Sequence, residues 1–361
     1  MKVLTILGTR PEIIRLSKII PKLDKYCDHI IVHTGQNYDY ELDKIFFNTL
    51  KIRKPDYYLN ARGTFAKQIA IIFEKLEEIL IKEKPDRFLV LGDTNSSLGG
   101  VVAKRLMIPV FHMEAGNRCY DENVPEEVNR RIIDHSSSIL LPYSNRSCEN
   151  LLSEGISRNR IYVTGNPIYE VIKSNLKKIS LSRILKQLKI KNSSYFLLTL
   201  HRQENVDDPE QLLKFINLLK VIIKKYNKKN IIWPIHPRTK SLLGRLKINL
   251  DKKIILSKPL NFFDFVKLEE NSFCVLTDSG TVQEECTILK APCVVLRNTT
   301  ERQETLESGA VLINYDNETT IFKNIQLSIK DKKIDDSIPA EYLIKNVSDR
   351  VLNIILSHHK F

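Results

Sequence analysis

The sequence has no long hydrophobic run and few of the residues that dominate disordered or repetitive chains. No stretch approaches the roughly 18 consecutive apolar residues of a membrane-spanning helix. The apolar start at residues 3–7 leads into Gly8-Thr9-Arg10 instead of the longer apolar region of a signal peptide. Glycine and proline contribute only 12 and 14 of the 361 residues, whereas 42% are apolar, which excludes low-complexity chains and permits a sizeable core. We therefore expect a soluble, cytoplasmic protein without a membrane partner.

The cysteines show no pattern of pairing. The six of them form no C-x-x-C pair and have no histidine at zinc-ligand spacing. In a chain that is not exported, cysteines are expected to be reduced thiols. The sequence therefore predicts neither disulfides nor a bound metal ion.

Basic residues exceed acidic residues, 56 to 43, which gives a net charge of +13. Such a balance admits a nucleic-acid-binding protein. The lysines are scattered among isoleucine and asparagine, however, as in residues 224–230, and no basic stripe with interleaved aromatic residues is visible. Solvated lysine-rich surfaces are the simpler interpretation, so we expect no nucleic-acid partner. Tight, steeply salt-dependent binding to RNA or DNA would contradict this expectation.

Short β-rich segments alternate with longer segments of helical periodicity along the whole chain. The predicted strands are Val3–Leu7, Ile30–His33, Phe88–Leu91, Pro109–His112, Ile139–Leu141, Ile161–Val163, Tyr195–Leu200, Ile231–Ile235, Ile254–Leu256, Phe273–Leu276, Cys293–Leu296 and Val311–Ile313. They are continuous apolar runs, as expected for parallel strands that are buried on both faces of a sheet. So many strands exceed one comfortable open sheet. We therefore predict an α/β fold of two doubly wound domains, whose ligands bind at the loops that lead from strands into helices.

The loop at residues 277–285 follows a predicted strand and opens a helix, and it is the sharpest candidate for anion binding. Gly280 permits a tight turn, and the next amides lie at the positive end of the helix, which suits a phosphate group. Ser279 adds a hydroxyl donor, Thr281 is a further candidate ligand, and Glu285 lies one turn later, where it could accept a hydrogen bond from a sugar hydroxyl. An ordinary helix cap is the alternative interpretation.

A counterpart of this loop, residues 8–12, follows the first strand. Pro11 suits the first helical position. Arg10 at the mouth of the helix offers a fork for phosphate oxygens, and Arg15 lies further along the same helix. A capped surface helix with a solvated arginine is the alternative. No loop carries the G-x-G-x-x-G fingerprint of dinucleotide binding or a Walker loop, so we expect no nicotinamide cofactor.

Three further loops of the first half carry carboxylates. Asp93 follows one apolar strand, Glu114 closes the next, and Glu126 and Glu127 begin the predicted helix at residues 125–135. Asp93 can instead cap a helix, and Glu126 and Glu127 can interact with a helix dipole. Glu114, at the end of an apolar strand, is expected to be partly buried, with a raised pKa suited to proton transfer. Acids that converge from these loops would form an acid/base cluster.

Donor residues end two strands of the second half. His201 and His236 each follow a predicted strand, and Arg302 lies after a third. A lone histidine is more often structural, but at a strand end near a phosphate loop it is a candidate ligand. We also expect Arg130 of the first half to bind substrate. One domain then carries phosphate donors and the other carboxylates, with a cleft between them, an arrangement that suits a nucleotide sugar.

Taken in order, these loops resemble the non-hydrolysing UDP-N-acetylglucosamine 2-epimerases. The matching motifs are Gly8-Thr9-Arg10-Pro11-Glu12, Gly92-Asp93-Thr94, Glu114-Ala115-Gly116, Pro125-Glu126-Glu127, Asp278-Ser279-Gly280, Gln283-Glu284-Glu285 and Thr300-Glu301-Arg302. They span about residues 1 to 310. The resemblance implies a homodimer of chains with two Rossmann-like domains in a GT-B arrangement. Residues 345–361 would cross back to a first domain of residues 1–166, and residues 167–344 would form the second domain.

The resemblance also implies an activity and assigns roles to residues. The family inverts C2 of a UDP-linked 2-acetamido sugar without NAD or metal. The positions that match its catalytic residues are Asp93, Glu114, Glu126 and His201. The positions that match its contacts to the UDP group are Arg10, Ser279, Gly280 and, for the ribose, Glu285. His201 belongs to the surroundings of the diphosphate and the leaving group.

Departures from the family pattern leave the sugar open. Arg15 stands where a lysine is common, and residues 35–38 replace a histidine found in members with an allosteric substrate site. Residues 116–121, together with Arg15, are closer to branches that act on UDP-2-acetamido-2,6-dideoxy-L-hexoses or UDP-diacetamido uronic acids. The alternatives are therefore a 2-epimerase of UDP-2-acetamido-2,6-dideoxy-L-talose that gives UDP-N-acetyl-L-fucosamine, a hydrolysing epimerase, and a GT-B glycosyltransferase.

Overall fold

The chain divides into two compact units. The computed structural model describes residues 1–36, 40–200, 202–206, 208–312, 318–330 and 338–358. Unit 1 comprises residues 1–174 and 340–361, and unit 2 comprises residues 175–339. The boundaries thus lie after residue 174 and before residue 340, whereas the sequence predicted them after residue 166 and before residue 345.

Hydrogen bonds explain why residues 167–174 belong to unit 1. The carboxylate of Glu170 accepts a hydrogen bond from the backbone amide of Ser348 at 2.8 Å and another from the Ser348 hydroxyl. Just before this segment, the amide of Asn166 donates to the carbonyl of Glu341 at 3.2 Å. These bonds tie residues 166–170 to the returning C-terminal segment.

Each unit contains one parallel six-stranded sheet. The strands are β1 (Lys2–Leu7), β2 (Asp28–His33), β3 (Tyr57–Tyr58), β4 (Arg87–Leu91), β5 (Val110–Met113), β6 (Ile139–Leu141), β7 (Tyr195–Thr199), β8 (Asn230–Pro234), β9 (Ile254–Ser257), β10 (Cys274–Thr277), β11 (Cys293–Val295) and β12 (Val311–Leu312). The order is β3-β2-β1-β4-β5-β6 in unit 1 and β9-β8-β7-β10-β11-β12 in unit 2. Both are the strand order of the Rossmann fold, so the predicted α/β fold with two doubly wound sheets is confirmed.

Helices connect the strands. They are α1 (Arg10–Leu16), α2 (Ile20–Tyr26), α3 (Tyr40–Leu50), α4 (Phe65–Glu83), α5 (Gly99–Arg105), α6 (Pro125–Ser136), α7 (Asn145–Ser153), α8 (Pro167–Ser174), α9 (Leu176–Ser180), α10 (Ile184–Gln187), α11 (Gln203–Val206), α12 (Pro209–Lys225), α13 (Pro237–Arg245), α14 (Phe262–Asn271), α15 (Gly280–Leu289), α16 (Glu304–Glu307), α17 (Glu318–Lys330) and α18 (Val347–Ser357). None of the helices that the structure describes is long and apolar enough to cross a membrane.

Both faces of each sheet are buried, as the continuous apolar strands predicted. In unit 1, Leu4 belongs to the same apolar cluster as Leu76 of α4, and its neighbour Val3 on the opposite face is also fully buried. In unit 2, Leu198 packs against helix α12 and Leu197 against helix α15. Adjacent residues of a strand point to opposite faces, so each sheet is the middle layer of three.

Two short segments were predicted incorrectly. Residues 161–163 form no strand, because only Ile161 makes a single bridge, to Leu140 of β6. The two-residue strand β3 escaped prediction because it is too short to show an apolar pattern. Short apolar runs do not determine by themselves whether the backbone joins a sheet.

The strand order places particular loops next to each other. In unit 1 the order reverses between β1 and β4, and in unit 2 between β7 and β10. Ligands of doubly wound sheets bind at the carboxyl ends of the strands beside such a reversal. The loops that the sequence singled out, at residues 8–12, 92–94 and 277–281, lie at these positions.

Candidate active site

Glu12 joins the two loops at the reversal point of unit 1. Its Oε2 accepts hydrogen bonds from the amides of Gly8 at 2.6 Å and Thr9 at 2.7 Å. Its Oε1 accepts one from the hydroxyl of Thr94 at 2.7 Å, in the loop after β4. Burial raises the pKa of Glu12 from 4.5 to about 7, against the effect of these hydrogen bonds. The sequence analysis gave Glu12 no role, although its position three residues after Thr9 is that of a capping box.

Gly8 lets these loops approach closely. A β-carbon at this position would overlap the hydroxyl groups of Thr34 and Ser96, which lie 2.8 Å from each other. Only glycine therefore fits at the end of β1 without displacing the side chains of Thr34 and Ser96.

The two arginines of α1 have different surroundings. Arg10, at the start of the helix, is exposed, and its guanidinium lies 5.9 Å from the centre of the Phe46 ring. Arg15 is buried, forms an ion pair with Glu114 and lies 5.6 Å from the ring centre of Tyr143. Arg10 is thus placed to meet a ligand, whereas Arg15 contacts a predicted catalytic carboxylate.

Glu114 is buried at the end of β5, as the sequence predicted. Its backbone is left-handed, with φ of +67°, which is uncommon for a residue with a side chain. Its Oε1 lies 3.4 Å from Nδ2 of Asn117, and its Oε2 is paired with Arg15. The ion pair favours the ionised form of Glu114 and opposes the effect of burial, a contribution that the sequence did not reveal.

Asp93 is half-buried in the loop after β4, and Arg130 of α6 holds it. Nε of Arg130 lies 2.7 Å from Oδ2 of Asp93, and Nη1 lies 2.6 Å from Oε2 of Glu127. The carbonyl of Asp93 accepts a further hydrogen bond from Nδ2 of Asn129 at 2.9 Å. Arg130, predicted as a substrate ligand, therefore supports Asp93 in this structure.

The adjacent acids at the start of α6 differ in their contacts. Glu127 is buried and accepts hydrogen bonds from the amides of Cys119 at 3.2 Å and Tyr120 at 3.3 Å. Glu126 is half-buried, and within the part of the chain that the structure describes it makes no hydrogen bond or ion pair. Glu127 thus shapes the loop before the helix, and the Glu126 side chain makes no such contact among the described residues.

In unit 2, the loop from β10 into α15 presents unpaired amides. The hydroxyl groups of Ser279 and Thr281 are hydrogen-bonded to each other, with 3.0 Å between the two oxygens, and either can be the donor. Among the described residues, the amides of Gly280, Thr281 and Val282 have no hydrogen-bond acceptor. Such amides at the positive end of a helix form a site for an anion such as phosphate.

Asp278 connects this loop to the end of β7. Its Oδ2 accepts hydrogen bonds from the amide of Arg202 and from Nδ2 of Asn205, both at 3.0 Å. Asp278 itself is completely buried. His201, predicted to contact the leaving group, precedes Arg202 and lies outside the described residues, so its prediction stays open.

A buried ion-pair cluster lies against Gly280. A β-carbon at Gly280 would lie 2.5 Å from Oε1 of Glu301. Glu301 pairs with Arg302 and, at 2.8 Å, with Arg297, and Nε of Arg302 lies 3.1 Å from Oε1 of Glu284. Arg302, predicted as a substrate ligand, is therefore held by two carboxylates and packs against Gly280 of this loop.

The remaining predicted ligands of unit 2 occupy three environments. Thr281 is half-buried and Glu285 is buried, both on α15. His236 is exposed, and its Nδ1 accepts a hydrogen bond from the amide of Arg238 at 3.2 Å. His236 therefore caps helix α13. In the described ranges, no group of three or more His, Cys, Asp or Glu side chains is arranged to hold a metal ion.

The chain is similar in sequence to known proteins. The sequence profile of a family described as UDP-N-acetylglucosamine 2-epimerase matches residues 22–356. A UDP-N-acetylglucosamine 2-epimerase of Methanocaldococcus jannaschii is 45% identical over 343 residues, which cover 92% of this chain and 93% of that protein. A UDP-2,3-diacetamido-2,3-dideoxy-D-glucuronate 2-epimerase of Pseudomonas aeruginosa is 36% identical over 315 residues, which cover 86% of this chain and 87% of that protein.

A solved structure extends the likeness to the fold. The crystal structure of the M. jannaschii UDP-GlcNAc 2-epimerase in complex with UDP-GlcNAc and UDP has a TM-score of 0.91 and 41% sequence identity. The match covers 99% of this chain and 100% of that one. The chain is an enzyme that belongs to the UDP-N-acetylglucosamine 2-epimerase family.

Proposed function

We propose that the protein interconverts UDP-GlcNAc and UDP-ManNAc by eliminating UDP and adding it back. The family and the M. jannaschii relative, solved with UDP-GlcNAc and UDP, support this proposal. The observation that carries it is the buried ion pair between Glu114 and Arg15. A second acid, Asp93, lies at the reversal point of the same sheet and is paired with Arg130.

The reaction needs such groups because the C2 hydrogen of the sugar is not next to a carbonyl and is not acidic. A carboxylate removes that proton, the C2 electron pair forms a C1–C2 double bond, and the C1–O bond breaks with its electrons going to UDP. The bound 2-acetamidoglycal then accepts a proton at the other face of C2, and UDP attacks C1. Delivery of a proton from either face requires more than one acid/base group, which suits Asp93, Glu114 and Glu126.

The departing diphosphate needs positive potential. We assign this role to Arg10 in unit 1 and to the amides of Gly280 and Thr281 in unit 2, with Ser279 as a hydroxyl donor and Glu285 as the acceptor for the ribose. Preorganised donors of this kind contribute about 3 kcal/mol each to transition-state stabilisation in comparable sites. His201 is proposed for the same charge by the family resemblance alone.

Turnover in heavy water tests the mechanism. Incubation with UDP-GlcNAc alone should give UDP-ManNAc with deuterium at C2, visible by NMR, without an acceptor. Epimer without deuterium would eliminate the proposed proton transfer. Free N-acetylmannosamine plus UDP would indicate a hydrolysing epimerase, and turnover only with an acceptor would indicate a glycosyltransferase.

A second substrate class has one specific observation in its favour. The P. aeruginosa relative acts on a UDP-diacetamido glucuronate, at 36% identity to this chain. The relative from M. jannaschii is more similar, at 45%, and this difference favours UDP-GlcNAc. A panel with UDP-GlcNAc, the UDP-diacetamido uronate and UDP-2-acetamido-2,6-dideoxy-L-talose, assayed for C2 inversion, should show the highest kcat/KM for UDP-GlcNAc.

We further propose a cytoplasmic homodimer, on the basis of the family resemblance. Sedimentation velocity at micromolar concentration should give about twice the 41.8 kDa mass of one chain. A monomer that is fully active at the same concentration would contradict the dimer.

A further inference from the structure

A buried hydrogen-bond network lies beneath the loops of Asp93 and Glu114. His112 of β5 and Asp134 of α6 are both almost fully buried. Nδ1 of His112 lies 2.8 Å from Oδ1 of Asp134, and Nε2 lies 2.9 Å from the carbonyl oxygen of Gly92. His112 therefore connects Asp134 to the residue that precedes Asp93.

The second oxygen of Asp134 reaches the other loop. Oδ2 accepts a hydrogen bond from the amide of Gly116 at 3.1 Å and lies 2.8 Å from Nη1 of Arg118. Burial works to raise the pKa of Asp134, but His112 and Arg118 outweigh it and hold that pKa below its usual value. The ring of His112 thus lies between the Asp134 carboxylate and the Gly92 carbonyl, with one ring nitrogen within hydrogen-bond distance of each.

The backbone beside this network is held in an unusual conformation. Gly92, Glu114 and Gly116 all have positive φ, at +78°, +67° and +80°. For Glu114, which has a side chain, such a conformation costs about 1 kcal/mol or more and persists only where the surroundings fix it. The hydrogen bond to Gly92 holds the backbone just before Asp93, and the hydrogen bond to Gly116 holds the backbone just after Glu114.

We propose that His112 and Asp134 are positioning residues that fix the loops of Asp93 and Glu114 relative to each other. The inference rests on the proposed roles of Asp93 and Glu114 in proton transfer. Neither His112 nor Asp134 contacts the substrate in this proposal, because both act through the backbone of Gly92 and Gly116. Misplacement of a catalytic group by about 1 Å is enough to lower kcat by about 100-fold.

The chain offers a matched control for the substitution His112→Asn. His29 is another buried histidine of the same sheet, with Nδ1 2.7 Å from Oδ1 of Asp24 and Nε2 2.8 Å from the hydroxyl of Thr5. It lies near the amino end of β2, whereas the loops of Asp93 and Glu114 follow the carboxyl ends of their strands. Asparagine places its amide nitrogen near Nδ1 and keeps the bond to aspartate, but it loses the contact made by Nε2 at both sites.

We expect His112→Asn to lower kcat by about 10- to 100-fold with KM for UDP-GlcNAc within about threefold, and to accelerate amide hydrogen exchange at residues 93–94. His29→Asn should lower Tm without changing kcat. Unchanged kcat and unchanged exchange in His112→Asn would overturn the proposal. The exchange measurement needs no turnover, whereas absence of C2 deuteration in the unmodified enzyme would contradict the proposed function instead.

A second pair of variants covers the case that His112→Asn does not fold. In Asp134→Asn the amide oxygen can accept from Gly116 and Arg118 while the amide nitrogen can donate to Nδ1 of His112, so every link can be kept. Asp134→Leu removes them all. With kcat calculated per amount of folded enzyme, we expect Asp134→Asn to retain kcat within about threefold. We expect Asp134→Leu to abolish most of the activity. Equal losses in the two variants would overturn the positioning role.

Discussion

Arg130 and Asp93 form an ion pair in which Nε lies 2.7 Å from Oδ2. Arg130 is buried on α6, and Asp93 lies in the loop after β4, so the pair fastens that loop to the helix whose first turn contains Glu126. Glu114 has the same kind of support from Arg15. Each of the two acids is thus held in place by a buried arginine.

The first prediction concerns Glu114→Gln. The amide cannot take the C2 proton, so kcat should fall by about 100- to 10,000-fold, the usual contribution of a general base. Affinity for UDP, measured by calorimetry, should stay within about threefold because the proposed diphosphate contacts do not include Glu114. Equal losses of turnover and UDP affinity would place Glu114 in binding or folding.

A stability control accompanies this variant. Glu114→Gln breaks the buried ion pair with Arg15, and removal of one member of such a pair costs about 3 to 5 kcal/mol in comparable cases. The double variant Arg15→Met with Glu114→Gln removes both charges of the pair. We expect Tm to recover in the double variant while kcat stays low, which separates the chemical loss from the loss of stability.

The second prediction concerns Gly280→Ala. The new β-carbon would lie 2.5 Å from Oε1 of Glu301 and 3.0 Å from Cζ of Arg302, so the ion-pair cluster or the loop must shift. We expect affinity for UDP to fall about tenfold, as for the loss of one charge-assisted hydrogen bond. The control is Gly244→Ala in helix α13, where a β-carbon meets nothing within 4 Å. That variant should gain about 0.5 to 1 kcal/mol of stability and bind UDP normally. The assignment of this loop to UDP fails if both variants bind UDP equally well.

The third prediction concerns pH and Glu12. Burial raises the pKa of Glu12 in the folded state from 4.5 to about 7. Because the folded pKa lies above the unfolded one, the protonated form contributes stability that is fully present below pH 4.5 and is lost as the pH rises through 7. The free energy of unfolding of the unmodified protein should fall by about 3 kcal/mol relative to Glu12→Gln across this window.

Urea unfolding at a series of pH values measures this difference. Glutamine can keep the hydrogen bonds from Gly8 and Thr9, and its amide can donate to the Thr94 hydroxyl, so the comparison isolates the charge. The control is Glu77→Gln at an exposed position of α4, for which the difference from the unmodified protein should not vary in the same way. Parallel pH curves for the unmodified protein and Glu12→Gln would contradict the prediction.

Much of the fold was predictable because doubly buried strands leave a plain signal. Every predicted strand except residues 161–163 overlaps an observed one, and the helix at α6 begins at Pro125 as expected. The domain boundaries were harder to predict from the sequence. The assignment of α8 depends on Glu170 bonding to Ser348, 178 residues away, and no local pattern records such a contact.

The placement of the candidate loops at the ends of the strands was predictable, but the contacts of their side chains were not. Glycine, proline and acidic residues after strands marked the loops, but partners are set by packing. The pairing of Arg15 with Glu114 joins residues 99 positions apart. Glu126 and Glu127 are equivalent in sequence terms, yet one step along a helix turns a side chain by about 100°, which buries the second acid and not the first.

The division of unit 1 into two chain segments bears on how the protein is made. Helix α18 packs on α2 and α8, and its Val351 and Ile355 are fully buried. The ribosome synthesises all of unit 2 before this helix. During that time the first segment of unit 1 exposes the apolar surface that α18 later covers, while unit 2 can already fold. Shortening the chain before residue 347, or fusing a rigid partner there, would therefore destabilise the half of the molecule that was synthesised first.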